Sequence, residues 1–305
     1  MNNFHVGMSG EFRSKLWNSD GSLAHDTGWG RNLILDSGLL LCAANGWGSY
    51  CLIGNSSTAP NIAQTSLQGF LASQGSIQSN SGTNNTSSPY EVTATRTWRF
   101  AAGVATGTIA EMGVGAVSTN TNLFCRHLVS PPFVKGATQI LDVSYRITMF
   151  PPLTQAINNG VVIGGVTYDT ITTGLQIGQA GVAGTGAIFG PLRASTVASD
   201  WNLYDGNLGA ITASNPLGSP GLAAGNNISV NTGNGSGFSD FKAPWTLNIG
   251  NAPLKCRTAM GGVSTGWRFQ TQFTATDGPD IGGPLPKDGT NEFTGWWRYS
   301  WGRTP

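Results

Sequence analysis

Between Tyr90 and Phe150 the sequence alternates with period two, and this constrains the fold more than any other feature. Tyr90, Val92, Ala94, Arg96 and Trp98 fall on one side, and Glu91, Thr93, Thr95, Thr97 and Arg99 on the other. Side chains two apart share a face only in an extended chain, so the pattern predicts a half-buried strand. Gln139–Phe150 repeats it, with Leu141, Val143, Tyr145, Ile147 and Met149 as the core face. Between them lie a turn at Ala101–Gly107, a glycine-marked strand at Thr108–Gly115 and a strand at Leu123–Val129. Pro131-Pro132 is expected to stop the last of these, because proline has no N–H for a ladder. Four short strands in succession predict an antiparallel sheet within a sandwich or barrel.

The flanking segments carry weaker signals of the same kind. Val6–Trp17 reads as a strand with Phe12, Ser14 and Leu16 on one face; Asn18–Ser22 is a turn, and Leu23–Trp29 returns. Asp36 or Ser37 is placed to cap a short helix over Gly38–Ala44, ended by Asn45-Gly46. Ser49–Gly54 is wholly apolar and predicts a central strand, and Thr65–Leu71 suits one helical turn. Ser73–Pro89, rich in Ser, Asn, Gly and Thr, reads as an exposed, mobile loop. At Pro151-Pro152 the character shifts to lone glycines among apolar residues, which places a boundary there. Alternation returns at Trp245–Ile249, Trp267–Ala275 and Phe293–Trp301, and Trp98-Arg-Phe100 is echoed by Trp267-Arg-Phe269. The expectation is an all-β protein with antiparallel β-sandwich-like domains, long Gly/Ser/Asn loops and one or two short helices. Residues 1–152 form a first domain and 153–305 a second, Gly- and aromatic-rich one.

Composition removes several function classes. Only 10% of residues are charged, against about 25% in average soluble domains. The net charge is +1, so no strong field draws in nucleic acid or an anionic membrane. A surface so poor in charge suits a protein that buries much of itself against partners. Cys42, Cys51, Cys125 and Cys256 match no zinc-ligand spacing and read as buried thiols, with a Cys42–Cys51 bridge as the alternative. The first residues lack a basic start and an apolar run, and Leu33–Ala44 is too short to span a bilayer. The expectation is synthesis in a cytoplasm and no membrane insertion.

The search for chemistry returns little. Gly181–Gly186 has the wrong glycine order for a dinucleotide loop, and there is no Walker A lysine, HExxH or GxSxG. Asp240, Asp277 and Asp280 are candidates for a hard cation but read as turn residues. His127 sits within a strand pattern and reads as structural. The expectation is therefore no catalysis, no cofactor and no metal. The sharpest surface question is the aromatic tail. Trp296, Trp297, Tyr299 and Trp301 either alternate between core and an oligomer seam or contact a glycan or receptor.

The order of motifs over residues 10–152 carries a resemblance. It runs through Gly10-Glu-Phe-Arg13, Gly28-Trp29, Asn32–Leu39, Cys51–Pro60 and Thr65-Ser-Leu67. It continues through Arg96–Phe100, Ala105-Thr-Gly107, Ile109–Gly115, Leu123–Arg126 and Pro131-Pro132, and closes at Tyr145–Pro151. This half of the chain resembles a family of tail proteins from long-tailed bacteriophages. The resemblance implies a structural part of the tail tip or baseplate, located in the virion and oligomeric around the tail axis, with a trimer favoured. It implies other tail or baseplate proteins as partners, with a host surface receptor as a further one, and it supplies no catalytic residues. The alternative is a receptor- or glycan-binding module at the same tip, and a cell-wall hydrolase ranks third.

Overall fold

The computed structural model describes residues 2–42, 47–85, 87–151, 156–175, 189, 202–210, 212–218, 220–223, 229–231, 237–245, 254–256, 258–262, 268–279, 281–287 and 293–304. The protein is all-β, as its alternation predicts. In chain order its strands begin with β1 (Asn2–Trp17), β2 (Leu23–Asp26), β3 (Gly30–Arg31) and β4 (Leu33–Ile34), followed by helix α1 (Asp36–Leu41). Then come β5 (Tyr50–Gly54), β6 (Phe70–Gln74), β7 (Ile77–Asn84), β8 (Val92–Phe100), β9 (Gly107–Gly115), β10 (Leu123–Lys135) and β11 (Ile140–Phe150). The second half adds β12 (Ala156–Ile163), β13 (Val166–Leu175), β14 (Asn202–Tyr204), β15 (Pro220–Ala223), β16 (Ser229–Asn231) and β17 (Phe238–Trp245). It ends with β18 (Leu254–Cys256), β19 (Thr258–Gly262), β20 (Arg268–Ala275), β21 (Leu285–Lys287) and β22 (Phe293–Arg303).

A nine-stranded sheet runs β16-β17-β22-β1-β11-β8-β7, with β2 and β3 also on β1. A five-stranded sheet, β4-β10-β9-β5-β6, lies against it. Their facing sides form the core. Leu141, Val143, Tyr145, Ile147 and Met149 have no exposure, and Val92, Ala94, Trp98 and Phe100 on β8 are equally buried, as the alternation requires. Aromatic rings bridge the layers: Phe12 lies 4.9 Å from Tyr145, Tyr145 6.3 Å from Phe124, and Phe124 4.0 Å from Trp47. β5 and β9 are buried on both faces, because the loop over 55–69 covers the outer side of the smaller sheet. There Leu67 completes a second apolar cluster with Leu35, Leu52 and Leu123.

Several local expectations need correction. β10 does not stop at Pro131-Pro132. Leu128 faces Glu111 and Phe133 already faces Ile109, so Val129–Pro132 loops out of the ladder and pairing resumes beyond it. A proline in a bulge removes no ladder bond. The helix starts at Asp36 after Leu35, with no side-chain cap; Ser37 Oγ instead donates to the Leu123 carbonyl at 2.7 Å, and Asp36 pairs with Arg303. Asn45-Gly46 lies outside the described residues. Thr65–Leu71 forms no helical turn, because Asn120 holds both the N–H and the carbonyl of Leu67. Ser73–Pro89 is not one loop: it holds the end of β6 and all of β7, which pairs with β8. Its backbone hydrogen bonds to a well-patterned neighbour make the strand where its own side chains carry no alternation.

The expected boundary at Pro152 is crossed twice. β22 returns to pair in parallel with β1, Asn2 facing Trp297 and Met8 facing Arg303, and β17 joins the sheet beyond it. The main apolar core also draws Tyr168, Phe269, Phe273, Tyr299 and Trp301 together with Val6, Phe12 and Tyr145. The rest of the second half builds a six-stranded sheet, β12-β13-β20-β19-β14-β15, and the small pair β18-β21. Trp267, and residues 246–249 of the alternation from Trp245, lie outside the described residues.

Candidate functional site

The aromatic tail forms β22, inserted between β1 and β17. Alternation there turns Tyr299 and Trp301 inward, with 0% and 3% exposure. Their rings lie 5.7 Å apart, and Trp301 Nε1 donates to the Leu39 carbonyl at 2.8 Å, tying the last strand to α1. These two aromatics belong to the core and present no surface to a receptor or a neighbour. The backbones of Trp296 and Trp297 pair with Lys242 and Phe241. Their side chains lie outside the described residues.

Glu111 on β9 and Arg126 on β10 form an ion pair with both side chains fully buried. Arg126 Nε donates to Glu111 Oε2 at 2.8 Å, Nη1 to Gln64 Oε1 at 2.8 Å and Nη2 to the Thr58 carbonyl at 2.7 Å. Glu111 in turn accepts the Gly69 N–H at 2.5 Å and the Gln68 N–H at 3.1 Å. All of these bonds except the Arg126–Glu111 one fasten the 55–69 loop to the sheet. A buried acid beside a buried base invites a catalytic reading, but here both groups are saturated by structural partners and sealed from solvent.

The remaining titratable groups are similarly engaged. His127 stacks on Phe12 at 5.5 Å with its Nδ1 2.9 Å from the Arg31 carbonyl, and burial pulls its pKa down. His5 Nδ1 lies 2.9 Å from Ser300 Oγ and is likewise lowered by burial. Cys42, Cys51 and Cys125 are free and buried, so Cys42 and Cys51 do not pair. Burial raises all three thiols, Cys125 to about 12. Asp277 accepts the Thr167 N–H at 2.7 Å and the Thr167 hydroxyl at 2.5 Å, which lowers its pKa and locks a turn. Asp280, Gly181–Gly186 and the side chains of Asp240 and Cys256 lie outside the described residues. Among the described residues no three His, Cys, Asp or Glu side chains converge on a metal position.

The outer face of the nine-stranded sheet is a ladder of cross-strand polar pairs. Arg146 meets Glu11 at 2.5 Å and stacks over Trp29 at 4.4 Å. Arg99 holds Asp142 through two bonds of 2.7 and 2.8 Å, and Trp17 Nε1 adds a third to the same carboxylate. Thr97–Ser144 and Thr93–Thr148 hydroxyl pairs fill the positions between. The depression beside Glu11, Arg31, Glu91 and Arg146 encloses about 270 Å³ and is half open. It offers a patterned polar surface rather than a substrate pocket.

What the sequence reading missed lies at the sheet ends. β7 ends the nine-stranded sheet and β12 the six-stranded one. Ile77 is exposed by 43% on the first, and Ile157 and Val162 by 61% and 66% on the second; Phe70 and Leu71, at 40% and 36%, lie on β6, the end of the five-stranded sheet. A signal for the first was present: from Ser37 through Tyr90 the chain contains no Asp, Glu, Lys, Arg or His. Part of that run is buried, at Trp47, Cys51–Gly54 and Leu67, but Ile77–Thr83 is exposed. Compared with family models, with curated proteins and with solved structures, the chain matches none.

Proposed function

We propose that this chain is a structural virion protein of a bacteriophage tail tip or baseplate. It oligomerises around the tail axis and contributes to host attachment by holding the tip together. The observation that carries the reading is the pair of uncharged, exposed end strands, β7 and β12, in a protein whose buried Glu111–Arg126 pair is tied up in fastening its own loop. End strands without charged side chains favour assembly over solubility. The ordered motifs of residues 10–152, which resemble phage tail proteins, supply the kind of particle. In this reading the chain works by shape, without catalysis or cofactor, is made in the host cytoplasm and resides in the virion.

The alternative, a glycan- or receptor-binding platform built on the aromatic tail, is weakened by burial of Tyr299 and Trp301, which leaves Trp296 and Trp297 to carry it. Immunogold labelling of intact virions, with sedimentation of the purified protein, tests the main proposal. Labelling at the tail end and a mass above the monomer are expected; absence of the chain from purified virions ends it. For the alternative, a glycan array is the direct check.

A further inference from the structure

One end of the outer face of the nine-stranded sheet holds a cleft of about 290 Å³, lined by Trp17, Asn18, Ser19, Gly21, Arg99 and Ile140. Trp17, Ile140 and Arg99 stand on β1, β11 and β8, which are neighbours in the sheet, and alternation turns all three outward. Asp142, two residues along β11 from Ile140, fixes the outer two. Its carboxylate accepts Trp17 Nε1 at 2.9 Å, Arg99 Nε at 2.7 Å and Arg99 Nη2 at 2.8 Å. The side chains stay reachable, with Trp17 and Ile140 half-buried and Arg99 45% exposed. The turn after β1 makes the wall. Asn18 N–H donates to the Ser22 carbonyl at 2.9 Å, and the Asn18 carbonyl accepts the Gly21 N–H at 3.0 Å. Gln139 Nε2 donates to Asn18 Oδ1 at 2.9 Å, tying the turn to the start of β11. Polar capacity is left over: Arg99 Nη1 and the Ser19 hydroxyl have no partner among the described residues.

We propose that this cleft binds a neutral pyranose ring. Such a ring has an apolar face of C–H groups and a rim of hydroxyls. The indole of Trp17 and the side chain of Ile140 supply apolar surface for the face. Arg99 Nη1 donates to the rim, and the Ser19 hydroxyl donates or accepts. A recess with apolar lining and a few placed polar groups is the usual form of a small-ligand site. Arg99 is the only charged residue lining the cleft, and Asp142 already balances it. Beyond it, Lys15 Nζ lies 6.0 Å from the indole centroid and Asp20 is on the turn, so the surrounding charges also cancel and nothing selects an anion. Because Asp142 and the turn hold the lining in place before a ligand arrives, little side-chain freedom is lost on binding. A protein interface takes about 20–30 residues a side, whereas six line this cleft. The site is separate from the aromatic tail, since β22 pairs with Asn2–Met8 at the other end of β1. The proposal goes beyond the tail reading and does not rest on it.

The test is fluorine NMR on the full chain labelled with fluorotryptophan, the Trp17 line being the one that Trp17→Phe removes. The probes are the methyl glycosides of glucose, galactose, mannose and N-acetylglucosamine, with methyl glucuronide as the acidic counterpart. At least one neutral glycoside is expected to shift the Trp17 line saturably. Arg99→Lys, which loses Nη1 and the planar fork, should raise the half-saturating concentration about tenfold. Ser19→Phe, at an exposed turn position, closes the cleft from its rim and should abolish the shift. This second variant covers the case in which Arg99→Lys disturbs the sheet. A Trp17 line that no neutral glycoside moves, a response to the glucuronide alone, or half-saturation unchanged in both variants overturns the proposal. Failure of every glycoside leaves the tail reading standing, and absence of the chain from virions leaves binding at the cleft untouched.

Discussion

Glu111 and Arg126 stand on adjacent strands with no exposed side-chain surface, Arg126 Nη2 lying 2.7 Å from Glu111 Oε2. Burying two charges carries a large desolvation penalty, offset here only because every partner is supplied. The pair reaches outward as well as sideways. Thr58, Ala59 and Gln64 are gripped by the guanidinium, and Gln68 and Gly69 by the carboxylate. A loop without a charge of its own is thus anchored by charges from the sheet beneath.

Removing one member leaves the other buried and unpaired. Glu111→Ala is expected to lower the unfolding free energy by about 3–5 kcal/mol, read from urea denaturation at neutral pH. Joint replacement by Leu at 111 and Met at 126 recovers part of that loss. In Glu111→Ala, hydrogen exchange should quicken first at the Gln68 and Gly69 amides; uniform quickening across the chain would mean that the pair does not act through the loop.

Alanine in place of glycine ordinarily strengthens a helix by about 1 kcal/mol. Gly38 in α1 should behave oppositely, because a Cβ there would meet the Phe124 carbonyl oxygen at 2.0 Å. Gly38→Ala is expected to destabilise by about 1–3 kcal/mol, as a lowered thermal midpoint. A raised midpoint would show that the helix does not lie this close to β10.

Trp301 fastens the last strand. Trp301→Ala should cost about 3–5 kcal/mol, and Trp301→Phe, which keeps an aromatic ring but loses the bond to Leu39, about 1 kcal/mol. Thermal unfolding of the two variants gives both numbers. A Trp301→Ala chain of wild-type stability would contradict the burial of this side chain.

Arg13 holds Asp26 at 2.6 Å, and chiefly through this hydrogen bond the carboxyl falls from 3.8 to about 2. A depressed acid stabilises the fold above its unfolded pKa, and that contribution is lost as pH falls through the folded value. Asp26→Asn should therefore be less stable than wild type at pH 7, with the difference shrinking as pH falls to about 2. With both side chains partly exposed, the difference at pH 7 should stay below about 1 kcal/mol. Chemical denaturation at both pH values measures it, and a gap that widens in acid would reverse the assignment.

Strand identity was legible wherever side chains alternate by environment. The core faces of β8 and β11 follow directly from their period of two, since a residue's face depends only on its own position along an extended chain. The double burial of β5 was visible in its unbroken apolar run. The same logic was silent on β7, whose Ile-Gln-Ser-Asn-Ser-Gly-Thr-Asn has no alternation because neither face enters the core. It left the aromatic tail open between core and surface, since aromatic residues look alike whether they pack inside or project. What the sequence determined alone was the β class, the alternating core faces and the scarcity of charge, all properties of neighbouring residues. Tertiary structure decided that β22 lies beside β1, that Glu111 finds Arg126 and a distant loop, and which strands are left at the sheet ends. Those outcomes depend on pairing between segments far apart in sequence, and the energy of such pairing is written in no single stretch.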